Sequence, residues 1–289
     1  MSWSRAAAAF LIFTGGLCTS SATLAQGASG TPPGWQSSGL RNPHIEIAYV
    51  EPTTAALRPI YDRLRKRMVL EQLQAFLAPL RLPKTLSIKA DQCGALSVPY
   101  DASGPVRVCY EYVEQMERLA PESFVYIGSG YLTRDDALVG AFVQLALHET
   151  TLATFSMLDI PFWGREDFAA DNVAGFIMLQ FGKDVAWRTL VGTAWLLAQS
   201  GALGIGRDFH AVRSPEGQRF FNYLCLAYAA DPKRFEFLVT NSDLPQGRAE
   251  YCKQDYDKLR KSFAQVIMPH VDPELLKRVQ AVTWLPSSE

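Results

Sequence analysis

The spacing of apolar and polar positions changes character twice along the chain. Behind Arg5, an unbroken apolar stretch runs from Ala6 to about Leu17. From Ile45, "IEIAYV" alternates and predicts a strand. From Thr53 to about Leu80 apolar residues recur at helical spacing beneath a Lys/Arg-rich outer face, which predicts one long helix. "TLSIKADQC" and "RVCYEYV" predict two more strands, flanking a turn at "YDASGP". Beyond residue 133 the period is helical. Thr133, with Asp136 three residues on, forms a capping signature and opens a helix to about Leu158, which "DIPFWG" breaks. Further helices are predicted from about Arg165 to Gly182 and from about Asp184 to Ser200, the latter stopped by Gly201. Another starts at Ser214-Pro215, where proline suits the first turn, a short one at Asp231-Pro232, and a long one spans about 246 to 267. There is no internal repeat. The class implied is α+β: a small N-terminal sheet with a long helix, then a mostly helical part. Residues 43–289 read as one domain, with a sheet-bearing lobe over about 43–132 and a helical lobe over about 133–289.

The N-terminal apolar run is roughly a dozen residues, shorter than the ~20 needed to span a bilayer. With Arg5 before it and Thr23-Leu24-Ala25 after it, residues 1–25 read as an export signal, the alternative being an uncleaved anchor. Leu17 before Cys18 is wrong for a lipidated cysteine. Residues 26–42, rich in Gly, Ser and Pro, read as a flexible leader. No other membrane span is expected; "VGTAWLLAQSGALGIG" follows Trp187-Arg188 closely and fits a buried helix. Net charge is −1, with no basic patch to favour nucleic acid. The expected location is periplasmic or extracellular.

Export changes the meaning of the cysteines. Removing the signal leaves Cys93, Cys109, Cys225 and Cys252, an even number that points to two disulfides. Three pairings are open; the local ones, Cys93–Cys109 and Cys225–Cys252, are favoured. A zinc site of four cysteines is the rival, but no C-x-x-C spacing supports it.

The chemistry concentrates at "ALHETTLATF". His148-Glu149 opens an H-E-x-x-H, the helix on which two histidines hold zinc and the glutamate serves as base, but the fifth position is Leu152. Positions 138, 141, 142, 145, 149, 152 and 156 share a face that is mostly apolar, so Glu149 lies in a core-facing stripe that His148 borders. A carboxylate there is costly unless it is paired or bound to a cation. On the next helix Asp167 and Asp171 are four apart and share a face; an acidic, dipole-matched helix start would look the same.

From His148 the chain reads H-E-T-T-L-A-T-F-S-M-L-D-I-P-F-W-G-R-E-D-F-A-A-D-N. It resembles a family of exported bacterial proteins described as putative metallopeptidases, whose pattern is close to H-E-x-G-H-A-x-x-x-x-L-D-I-P-x-x-G-R-E-E-D-A-A-D-Q. The resemblance extends to Cys93-Gly94, "CYEY" from Cys109, "QRFFNYLC" from Gln218, "DPKRFEFLV" from Asp231 and "LPQGRAEYC" ending at Cys252. It implies a zincin-like helical part. It implies His148 as a zinc ligand, Glu149 as the base, Asp167 as a shortened ligand and Asp171 as the group that hydrogen-bonds the histidine. Glu166, which matches the first Glu of the pair, is the candidate substitute ligand, and His210 in "GRDFHAV" is a candidate oxyanion stabiliser or replacement ligand, the alternative being an ordinary surface or loop histidine. His44 and His270 match nothing and read as ordinary polar residues. The departures fall on the chemistry: Leu152 replaces the second histidine, Thr151 the glycine, Asp167 the second Glu of G-R-E-E and Phe168 the Asp after it. Leu152 favours a dry site with Glu149 protonated or turned toward a cation such as Arg165. The expectation is a pseudopeptidase that binds a polypeptide substrate or protein partner. The alternatives are an active enzyme with a rearranged zinc site and a plain binding module.

Overall fold

The structure, a computed structural model, describes residues 39–98, 100–101, 104–120, 122–127, 130–161, 164–202 and 215–286. The expected signal 1–25, residues 26–38 of the leader and His210 lie outside the described residues, as do parts of "YDASGP" and "DIPFWG"; the end of the leader is not loose, since Leu40 and Asn42 are buried and Asn42 donates to the Ala78 and Leu80 carbonyls.

The fold is α+β. β1 (Ile45–Tyr49), β2 (Leu86–Asp91) and β3 (Val106–Cys109) form a parallel sheet in that order, with Ile45 opposite Leu86 and Ile88 opposite Val106. Alternation places Leu86, Ile88 and Ala90 of β2 in the core. Parallel neighbours need a crossover, and between β1 and β2 two helices supply it. The single helix expected over Thr53–Leu80 is in fact α1 (Arg58–Lys66), behind a turn of 3₁₀ helix at Ala55–Leu57, and α2 (Val69–Phe76). They part at Met68, which adopts left-handed φ of 50°. No Gly or Pro marks the break, because side chains from elsewhere serve the backbone there. The Leu70 N–H donates to the Tyr49 hydroxyl at 2.8 Å, and Gln72 Nε2 donates to the Arg67 carbonyl at 2.9 Å.

"RVCYEYV" is a strand only as far as Cys109; α3 (Tyr110–Leu119) begins at once. Tyr110, Val113 and Met116, three apart, are buried, so the helical period wins. The Cys93–Cys109 disulfide ties the strand end to the loop after β2, where Glu111 accepts from the N–H groups of Cys93 and Gly94. An unforeseen antiparallel hairpin follows, β4 (Phe124–Ile127) and β5 (Gly130–Thr133).

Thr133 caps α4 (Arg134–Leu158): its hydroxyl oxygen accepts from the Asp136 N–H at 3.0 Å and donates to the Asp136 carboxylate at 2.7 Å. The expected apolar stripe is not a stripe, since α4 is buried on every side from Asp136 to Thr151. It is long and apolar enough to cross a membrane, but its surface is covered by the rest of the protein, as befits a core helix. α5 (Glu166–Met178) and α6 (Lys183–Ala202) pack against it; α7 (Glu216–Ala230) packs on α5 and α6, and after the short α8 (Phe237–Thr240), α9 (Gln246–Val266) packs on α5 and α7. No helix starts at Asp231-Pro232; turns run there until Phe237, with Asp231 accepting from the Arg234 N–H. Cys225–Cys252 joins α7 to α9. α10 (Pro273–Gln280), also unforeseen, is capped by Asp272, which accepts from the N–H groups of Glu274 and Leu275.

After α10 the chain turns inward. Trp284 is 1% exposed and donates from Nε1 to the Val279 carbonyl. The Leu285 N–H donates to Gln72 Oε1, Arg188 donates to the Leu285 carbonyl and Arg67 to that of Pro286.

Candidate functional site

Three helices converge on one aspartate. One turn apart, α4 presents Gln144 and His148, α5 presents Asp167 and Asp171, and α7 presents Arg219 and Tyr223. Asp171 Oδ1 lies 2.9 Å from His148 Nδ1 and accepts from Gln144 Nε2 at 3.1 Å and Arg219 Nη2 at 3.0 Å. Its Oδ2 accepts from Arg219 Nε at 2.8 Å, completing a bidentate fork. Arg219 Nη1 reaches Glu216 at 3.2 Å, and the Tyr223 hydroxyl lies 3.4 Å from the Asp171 carbonyl oxygen.

The cluster is dry: His148, Glu149, Asp171 and Arg219 are each at most 3% exposed. Burial by itself raises the Asp171 pKa. The charges of Arg219 and His148, with their hydrogen bonds, outweigh it and hold the carboxyl well below the usual carboxylate range. Burial likewise works against the Arg219 cation, but Asp171 and Glu216 carry its pKa well above the ordinary arginine value. Burial pushes the Tyr223 phenol up, so it stays neutral.

An ionised Asp171 takes its hydrogen bond from His148 Nδ1–H, which orients the ring. His148 Nε2 then faces Asp167, 3.3 Å from Oδ1. Two electron-rich atoms at that distance repel unless a positive charge lies between them, and either a proton on Nε2 or a bound cation would serve.

Of the residues singled out in the sequence, the structure brings His148, Asp167 and Asp171 together. Glu149 is buried one step round α4 from His148. Glu166, exposed in the first turn of α5, does not join His148, and Arg165 is the exposed residue just before that helix. Leu152, one turn beyond His148, is partly buried and has no donor atom. His44 and His270 contribute backbone carbonyls, which accept from the Leu86 and Arg81 N–H groups.

A catalytic zinc takes three protein ligands. His148 Nε2 and the Asp167 carboxylate would supply two. Among the described residues, the only three His, Cys, Asp or Glu side chains whose donor atoms lie within 4.8 Å of one another are Cys93, Cys109 and Glu111, and those cysteines are joined as a disulfide. The described residues do not by themselves fit a zinc centre.

Arg219, Gln144 and Tyr223 escaped the sequence reading. Gln144 lies one turn before His148, a spacing that could have flagged it. Arg219 lies 48 residues from Asp171, and only the need of a buried carboxylate for a cation pointed to such a partner.

Neither a curated protein nor a solved structure matches the sequence. A family match does cover most of it. Residues 49–267, which take in β2 and β3, both disulfides and the whole histidine–aspartate–arginine cluster, match the DUF4344 family, whose description is "Putative metallopeptidase", and the chain belongs to that family.

Proposed function

We propose that the chain is an exported, catalytically silent relative of metallopeptidases that binds a polypeptide substrate or protein partner without cleaving it. The carrying observation is the position one turn after His148: Leu152 stands there and offers no donor. His148 is meanwhile held in a buried network with Asp171, Arg219 and Asp167 that is consistent with a protonated ring. Both disulfides are consistent with an oxidising compartment outside the cytoplasm.

A second reading has its own observation. Two ligands on one tetrahedral zinc, each at about 2.0–2.1 Å, lie roughly 3.3 Å apart, the separation of His148 Nε2 from Asp167 Oδ1. On that reading the protein is an active enzyme with a rearranged site, its third donor coming from beyond the described residues, with His210 the candidate. Zinc content of the mature, untagged protein, purified without chelator, decides between them. The silent scaffold predicts no stoichiometric zinc and a measurable rise in zinc affinity in Leu152→His. About one zinc per chain, lost in His148→Ala, would overturn it in favour of the rearranged site. Folded Leu152→His with no gain would mean that the pocket is not shaped for a metal.

A further inference from the structure

On another face of α4, a cavity of about 280 Å³ opens between α2, α4, α5, α9 and α10. Leu147, Val173, Phe176 and Val279 contribute to its walls, and Ala264 and Gln280 are exposed residues of the lining. Thr150 also lines it. That residue is 3% exposed, and its hydroxyl has no hydrogen-bond partner among the described residues. The hydroxyls of Thr151 and Thr154 differ, since they donate to the Leu147 and Thr150 carbonyls. A buried hydroxyl left unpaired is costly, so a group that bonds Thr150 is missing from the cavity. The cavity also lies beside the point where the described chain begins. Leu40 is buried, and Asn42 donates to the carbonyls of Ala78 at 3.1 Å and Leu80 at 2.6 Å. Pro79 and Leu80 are themselves part of the cavity wall.

We infer that this cavity is the seat of the chain's own N-terminal leader, with the Trp35 indole inserted and its Nε1–H donating to the Thr150 hydroxyl. Between Gln26 and Gly39, Trp35 is the only large apolar side chain. The roughly five residues from Trp35 to Leu40 span at most ~17 Å, which is ample for the step past Leu80. An apolar cavity of ~150 Å³ accepts a benzene ring, so this one has room for the two fused rings of an indole. A buried tryptophan N–H takes a hydrogen-bond partner, and Thr150 is an acceptor in need of one. Tethering favours this occupant over any from solution, because a short linker holds the ring at an effective concentration in the millimolar range. The inference is independent of the chemistry at His148.

NMR of the mature protein with labelled methyl groups tests it. Cross-relaxation is expected from the Trp35 indole protons, identified by their loss in Trp35→Ala, to the methyls of Leu147, Thr150 and Val279. Trp35→Ala should also lower the melting temperature by about 5 °C or more. Thr150→Val should lower it in the wild-type background, where the indole N–H loses its acceptor, and leave it unchanged or raised in Trp35→Ala. Absence of cross-relaxation to these methyls in the folded protein overturns the inference and leaves the cavity to an occupant from solution. So does a melting temperature unmoved by Trp35→Ala, or the same Thr150→Val effect in both backgrounds.

Discussion

Asp171 serves four partners at once: His148, Gln144 and both nitrogens of the Arg219 fork. Asp171→Asn leaves the Arg219 cation buried without its counter-charge, and such a loss costs about 3–5 kcal/mol. Its pH dependence follows from the lowered pKa. The stability contributed by the ionised carboxylate is complete above the unfolded-chain value of about 4 and drains away as pH falls below that toward the depressed folded value. Urea unfolding at pH 7, 4 and 3 checks both points: the variant should be weaker at pH 7 and show a flatter acid limb than wild type. An acid limb as steep in the variant would place the acid sensitivity elsewhere. At this scale the sequence exposes what is local. His148, Asp167 and Asp171 stand out by spacing, whereas Arg219 does not, because its role exists only once α7 lies against α5.

At the scale of elements, α4 and α6 meet through paired glycines. A Cβ on Gly140 would lie 2.7 Å from the Thr189 carbonyl oxygen, and one on Gly192 would lie 2.9 Å from the Ala137 Cα. Both obstacles are backbone, so neither can step aside by changing rotamer. Gly140→Ala should therefore destabilise by about 1–3 kcal/mol despite the better helix propensity of alanine, measured as a lower unfolding midpoint in denaturant. An unchanged midpoint would mean that the crossing is looser than described. Elements whose signals are self-contained were legible: Thr133 and Asp136 mark the start of α4 unaided. The division of α1 from α2 was not, since Tyr49 and Gln72 make it from outside the break. Neither was the end of β3, where "VCYEYV" fits both a period of two and a helical one.

For the whole molecule, the segment after α10 closes the core. Trp284 stacks edge-on against Phe76 of α2, with centroids 5.5 Å apart, while Gln72, Arg67 and Arg188 hold the backbone beside it. Replacing a buried tryptophan by alanine typically costs about 3–5 kcal/mol, so Trp284→Ala should lower the melting temperature by roughly 10 °C in a calorimetric scan. A shift within a degree or two would show the clasp to be peripheral.

This clasp also fixes an order of events in time. A chain is made from its N-terminus, and the partners of Leu285 and Pro286 are Gln72 on α2, Arg67 at the end of α1 and Arg188 on α6, all synthesised well before them. Until residues 285 and 286 emerge, Gln72 lacks this partner, and Arg67 and Arg188 pair only with Asp135 and Asp136 at the start of α4. The contacts that complete this part of the core are thereby withheld from any chain that stops short of residue 284.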